Sequence, residues 1–448
     1  MKQVDLTNGP ITSSLARLAF PIMATSFIQM AYNLTDMIWI GRIGSGAVAA
    51  VGAAGMFTWL FNGTIVIPKM GGQVKVAHAL GAGNAEDAAA YARGDLQLGI
   101  FLSIFFGIIC LFFAGPLIRF YKLTDPVVIQ QAEAYLMITG GLVLFNFMNQ
   151  IFTGLMTAMG NSMVTFRATT AGLILNIVLD PILIYGPGPL PAMGVAGAAF
   201  ATVLAQLVVF LLYLKAIHNE PVIFSRLHLL QKTDPVYIKE MMRIGLPIGL
   251  HNMIFASVSM TLARIVAGYG DAAVAIQKVC SQIESISWMT AEGFGSAVNS
   301  FSAQNYGAGK KERIKKGYFT AITIMILWGC FTSFLLFVFP EPIIRIFITE
   351  ADVIPLGADY LRILAYSEIF TCIEITSAGA FQGIGKSLYS SLITVIFTVI
   401  RIPLALFLSG TALGLNGVWW SISASGILRG TVMVVGFILV LHRYLKEN

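Results

Sequence analysis

Apolar runs of about 20 residues recur along the whole chain, at 15–40, 48–72, 94–118, 135–158, 164–185 and 195–215, followed by six more. A soluble domain breaks its apolar stretches with polar turns, whereas runs of this length match the hydrocarbon core of a bilayer. There the helix satisfies its own backbone groups. The pattern predicts an all-α integral membrane protein with twelve transmembrane helices.

The punctuation between runs repeats in register. Pro21 in LAFPI answers Pro247 in RIGLPI, Gly81-Ala-Gly-Asn answers Gly307-Ala-Gly-Lys, and Gly160-Asn-Ser answers Gly385-Lys-Ser. Six helices per repeat is an even number, so both halves enter the membrane from the same side. The expectation is two six-helix bundles related by a pseudo-twofold axis along the membrane normal, with substrate binding between them. The divisions are 1–215 for the first bundle, which carries ion coupling, 216–238 for a polar cytoplasmic linker, and 239–448 for the second bundle.

Composition agrees with this class: 57% of the 448 residues are hydrophobic and 11% charged. The net charge of +6 is a matter of topology and gives no reason to expect nucleic acid. Most bases, among them Lys75, Arg93, Arg167, Lys215, Arg226, Lys310, Lys311 and Arg313, flank even-numbered loops, which places both termini in the cytoplasm. The opening MKQVDLTNGPITSS lacks the features of a cleaved signal peptide. Cys110, Cys280, Cys330 and Cys372 lie inside apolar runs and read as small core residues.

Polar residues at membrane depth are costly, about 2.5 to 3.5 kcal/mol for a carboxylate near the bilayer centre, and therefore informative. In the first run Gln29, Asn33 and Asp36 stand at i, i+4 and i+7 on one helix face, bordered by Tyr32. The fifth run places Thr169, Asn176 and Asp180 on a second polar face. The fourth adds Asn146 and Gln150, and the sixth Thr202 and Gln206. Two acids facing one desolvated chamber disfavour each other's charge, so at least one is a candidate proton carrier. The oxygens of Asp36, Asn176, Asp180 and Thr202 suit sodium equally, which leaves proton and sodium coupling open. The bland alternative is that both acids are hydrogen-bonded glue between helices.

The second half does not copy this pair, since Leu262 stands where the repeat would place Asp36. Its acids, Glu284, Glu292 and Glu374, are candidates for substrate contact or for ion pairs with Lys278, Arg362 or Arg401. Met30, Met37 and Phe147 are candidates for a pliant apolar wall in the first half. No nucleotide loop, no zinc-protease motif and no nucleophile with its base is present in the sequence, so an enzyme is not expected and no cofactor is implied.

Taken together, LAFPI with Asn33-Leu-Thr-Asp36, the loops HALGAGN and QNYGAGK, AMGNS, LNIVLDPILI and GVAGAAFATV resemble the multidrug and toxic compound extrusion (MATE) transporters, and their bacterial DinF-like branch in particular. The resemblance implies two six-helix bundles around a central cleft and exchange of a proton or sodium ion for small amphipathic organic cations. It implies a bacterial inner membrane location and a first-lobe ion site at Asp36, Asn176, Asp180 and Thr202. Another branch uses an acid on the seventh helix, which this chain lacks, so protons are favoured. Membrane lipids are the other expected partner, and the chain is expected to act as a monomer. A lipid-linked oligosaccharide flippase shares this architecture, but it would need clustered bases at membrane depth. A channel would also carry polar stripes, but it could not concentrate its solute.

Overall fold

The computed structural model describes residues 4–120, 123, 125–186, 191–218, 223, 225–347 and 353–446. Of the expected linker 216–238, residues 219–222 and 224 lie outside the described residues. The described chain is helical, with no β-strand. The elements are α1 (Ile11–Gly41), α2 (Ser45–Gly81), α3 (Ala85–Arg119), α4 (Pro126–Gly141), α5 (Val143–Ala158), α6 (Ser162–Tyr185), α7 (Gly194–His218) and α8 (Pro235–Ala267). They continue with α9 (Asp271–Gly307), α10 (Lys311–Val338), α11 (Pro340–Arg345), α12 (Ile354–Gly383), α13 (Ser387–Val399), α14 (Arg401–Ser409) and α15 (Leu415–Lys446).

Nine spans among the described residues are long and apolar enough to cross a membrane, with α13 and α14 together forming one of them. The pair α4 and α5, bent by 46° at Leu142, supplies a tenth. Long helices α9 and α12 complete the twelve. They are less apolar because they carry Gln277, Glu284 and Asn299, and Glu368, Glu374 and Ser377. Local chemistry sets several starts. The Asn84 side chain accepts the Asp87 amide at α3, and Asp125 accepts the Val127 amide at α4, each occupying a donor that the first helical turn leaves free.

The duplication reaches the backbone. Gly83 and Gly309 hold φ of 74° and 68°, and Gly160 and Gly385 hold 79° and 74°, so both copies of each turn use the left-handed region that glycine enters without strain.

The chain divides into two compact units, one holding Ala24–Gly245 and the other Asp5–Met23 with Leu246–Asn448. Both divisions fall inside helices beside equivalent prolines. Helix α1 changes unit after Met23, two residues beyond Pro21, and α8 changes after Gly245, two residues before Pro247. Within the first unit, the start of α8 lies so close to α2 that a Cβ on Gly245 would collide with the Ile67 carbonyl, and one on Gly71 with the Met241 carbonyl. Within the second unit, a Cβ on Gly293 of α9 would press on Met23 of α1, and one on Gly379 of α12 on the Gly295 carbonyl. In a bilayer, where the apolar effect between helices is weak, such backbone approach is a main source of cohesion.

Candidate functional site

In the first unit four helices bring polar side chains together. Helix α6 carries Asn176 and Asp180, both fully buried, and the Asn176 Nδ2 donates to Asp180 Oδ1 at 3.2 Å. Helix α7 brings Thr202, whose hydroxyl accepts from the Tyr32 phenol of α1 at 3.1 Å. Asp36, one turn beyond Tyr32, lies within electrostatic reach of Asp180. Tyr135 of α4 reaches the same Thr202 hydroxyl and the same two acids.

This cluster is short of donors. Among the described residues, Asp36 Oδ1, Asn176 Oδ1 and Asp180 Oδ2 are buried oxygens with no hydrogen-bond partner. A buried acceptor left without a donor costs about 1 to 3 kcal/mol, and more when it is charged. Three of them around one pair of carboxyls make a place where a proton or a hard cation is stabilised. Among the described residues no group of three or more His, Cys, Asp or Glu is arranged for a metal, so a cation here would depend on the amide and hydroxyl oxygens.

Beside it a cavity of about 270 Å³ is lined by Gln29, Tyr32, Asn146, Gln150 and Tyr213, among others. The bend at Leu142 sets the polar face of α5 toward this space. Gln150 Nε2 donates to Asn62 Oδ1 at 2.9 Å and to Asn146 Oδ1 at 3.1 Å. The apolar candidates are placed otherwise. Phe147 is fully buried, edge-on to Phe106 at 6.2 Å in the aromatic core, and does not line this cavity. Met37 is 56% exposed and Met30 half-buried, and neither lines this cavity. The side chain of Asn33 lies outside the described residues.

The second unit holds a larger cavity, about 720 Å³, lined by Glu284, Glu292 and Glu374, as well as by His251, Arg401 and Arg429. Glu374 is committed: Arg429 Nη2 stands 3.3 Å from its Oε2, and the Thr394 hydroxyl donates to its Oε1 at 3.3 Å. Glu284 accepts from the Tyr360 phenol at 3.4 Å, while Glu292 is exposed. The partner of Glu374 is thus Arg429 and not Lys278, Arg362 or Arg401. Arg429, His251 and Glu368 escaped the sequence reading because none of them lies on a polar stripe of the kind that marks Asp36 and Asp180. The cue was available, since any ionisable residue at membrane depth is informative.

A family model described as MatE matches the chain twice, at residues 21–182 and 247–407. The chain is 29% identical to a probable multidrug resistance protein NorM of Thermotoga maritima over 96% of its own length and 92% of that protein's. It is 24% identical to a protein described as an FAD transporter in Shewanella oneidensis, over 95% and 94%. A crystal structure of a MATE mutant superposes with a TM-score of 0.92 at 25% identity, covering 100% of both chains. A MOP superfamily transporter from Pyrococcus furiosus gives 0.91 at 25% identity, covering 100% and 99%.

Proposed function

The chain belongs to the MatE family of membrane transporters, and we propose that it is a secondary active exporter of small amphipathic organic cations, driven by an inward proton gradient. The observation that carries this reading is the donor-poor pair Asp36 and Asp180, with three buried oxygens in one cluster lacking partners among the described residues. The multidrug resistance names of its relatives support the substrate class.

The mechanism follows from differential affinity in two states. Ionised Asp36 and Asp180 favour a cation in the adjacent cavity, whose amide and phenol groups hold it by hydrogen bonds. Protonation from outside satisfies the orphaned oxygens, cancels the attraction and releases the cation. Return of the loaded proton to the cytoplasm resets the pair. Sodium, held by the same carboxylates with the Asn176 and Thr202 oxygens, is the alternative coupling ion. The setting is a bacterial inner membrane with both termini cytoplasmic, and the working unit is a single chain.

The test is uptake of a fluorescent organic cation into inside-out proteoliposomes. A pH gradient alone should drive accumulation above the external concentration, and a sodium gradient alone should not. Accumulation under sodium alone would transfer the coupling to sodium, and mere equilibration under either gradient would make the protein a channel.

A further inference from the structure

Asp95 of α3 is a buried acid of the first unit to which the exchange of proton for cation assigns no part. It is fully buried, and neither carboxylate oxygen has a hydrogen-bond partner among the described residues. Helix α2 faces it with Gly72, where a Cβ would collide with the carboxylate, so the group rests against helix backbone whose own donors are spent within α2. Lys69, one turn earlier on α2, is the charge that acts on Asp95, yet among the described residues no base stands within ion-pair distance of it. Helix α5 brings no ionisable side chain and closes on the same stretch of α2, where a Cβ on Gly154 would come within 3.3 Å of Lys69 Cγ and 3.6 Å of Gln73 Cβ. Helix α8 packs Met241 and Ile238 against Gly94, and the acid between them, Glu240, is taken by Lys75 and Tyr91.

Its place along the helices matters. Asp36 and Asp180 stand five residues from the ends of α1 and α6, whereas Asp95 lies ten residues, about 15 Å, inside the start of α3. Successive spans alternate in direction, so the ends of α1 and α6 face one side of the membrane and the start of α3 the other. A proton taken up at Asp36 and Asp180 must travel toward the side where Asp95 lies. Helices α2, α5 and α7 carry no acid, and α6 carries none but Asp180. The polar face of α5 runs the same way, with Asn146, Gln150 and Thr153 on the 270 Å³ cavity and Thr157 one turn beyond. A buried carboxylate without a donor is costly, and a proton on it removes that cost; without the proton, its charge is answered at a distance by Lys69.

We propose that Asp95 is a second proton-carrying group of the first unit. The proton released by Asp36 and Asp180 is taken by an Asp95 carboxylate oxygen and then passes to water on the cytoplasmic side, so that one acid regains its negative charge as the other loses it. The inference rests on the proton-driven exporter reading and adds a residue on which net transport depends far more than substrate exchange does.

The test uses the full-length protein in proteoliposomes and compares two rates for radiolabelled ethidium: uptake driven by a pH gradient, and exchange against unlabelled ethidium at equal pH, which needs no net proton movement. D95N should lower the ratio of driven uptake to exchange by about 100-fold, the loss of a positioned proton carrier. D95E, which keeps an acid, should restore most of it. A purely structural Asp95 would lower both rates together with the yield of folded protein and leave the ratio alone. A second readout depends neither on transport nor on how D95N folds: infrared spectra of wild type and D95E in nanodiscs across a range of pH. The carboxyl C=O band that moves in D95E should be present at low pH and vanish as pH rises. An unchanged ratio in D95N, or a band absent or constant at every pH, would overturn the inference.

The wild type separates the two readings. Uptake driven by a pH gradient in wild type with an unchanged ratio in D95N sinks the Asp95 site and leaves the exporter. An Asp95 band that comes and goes with pH, in a protein that shows no pH-driven uptake, keeps Asp95 as a proton site and sinks the proton-driven exporter.

Discussion

The Tyr32 phenol donates to the Thr202 hydroxyl at 3.1 Å, tying α1 to α7 across 170 residues of chain. Because Asp36 lies one helical turn beyond Tyr32, that bond helps set its distance from Asp180 on α6. Tyr32→Phe removes the donor and keeps the ring, at about 0.5 to 1.5 kcal/mol. Initial efflux rates should fall severalfold at unchanged expression. An unchanged rate would reduce Tyr32 to a lining residue.

The buried pair Arg429 and Glu374 gives a stability prediction. Removing one partner strands the other's charge, which costs about 3 to 5 kcal/mol, whereas replacing both is far milder. In detergent, E374Q and R429Q should each lower the thermal unfolding midpoint substantially, and the double variant should recover part of the loss. Additive losses would mean that the two side chains are not coupled.

Gly245 tests the backbone approach between α8 and α2. A side chain there meets the Ile67 carbonyl, and a backbone atom does not yield as a flexible side chain would. Gly245→Val should cost about 1 to 3 kcal/mol and reduce the yield of monodisperse protein. Gly63, whose Cβ would enter open space, is the control and should tolerate Ala.

The N-terminal turn should respond to pH. Burial is the largest single influence on the Asp5 carboxyl and pushes it up, but the hydrogen bonds from the Asn8 and Thr7 amides and side chains together outweigh it and hold the pKa below 3.8. The turn is clamped by Arg313 Nη2 on the Gly9 carbonyl at 2.5 Å and by Lys310 Nζ on the Thr7 carbonyl at 2.9 Å. A depressed folded pKa contributes stability that is present above 3.8 and is lost as pH falls through the lower folded value. Amide exchange of Thr7 and Asn8 should therefore accelerate only in that acid range, and Asp5→Asn should abolish the dependence.

Much of the first-unit cluster was legible because helical periodicity needs no tertiary knowledge. The i, i+4, i+7 stripe of α1 and the Asn176–Asp180 spacing of α6 put polar atoms on one face whatever that face meets. Partner choice was not legible. That Arg429 and no other base reaches Glu374 depends on the axial register of α15 against α12, and Tyr135 joins Asp36 and Asp180 only through the packing of α4. Phe147 shows the limit for apolar residues. Its helix position suits a cavity wall as well as a core, and the bend at Leu142, preceded by Gly140 and Gly141 but by no proline, decides for the core. The repeat of Pro21 and Pro247 was plain in the sequence, but not that α1 and α8 change unit beside those prolines.

The most direct test of the account is proton movement evoked by substrate, followed with a pH-sensitive dye trapped in proteoliposomes, for wild type, Asp36→Asn and Asp180→Asn. The account predicts that a cationic substrate evokes a proton flux in wild type, independent of sodium, and that both variants bind substrate more weakly and evoke none even at saturating substrate. Wild-type proton flux in Asp36→Asn and Asp180→Asn would contradict it.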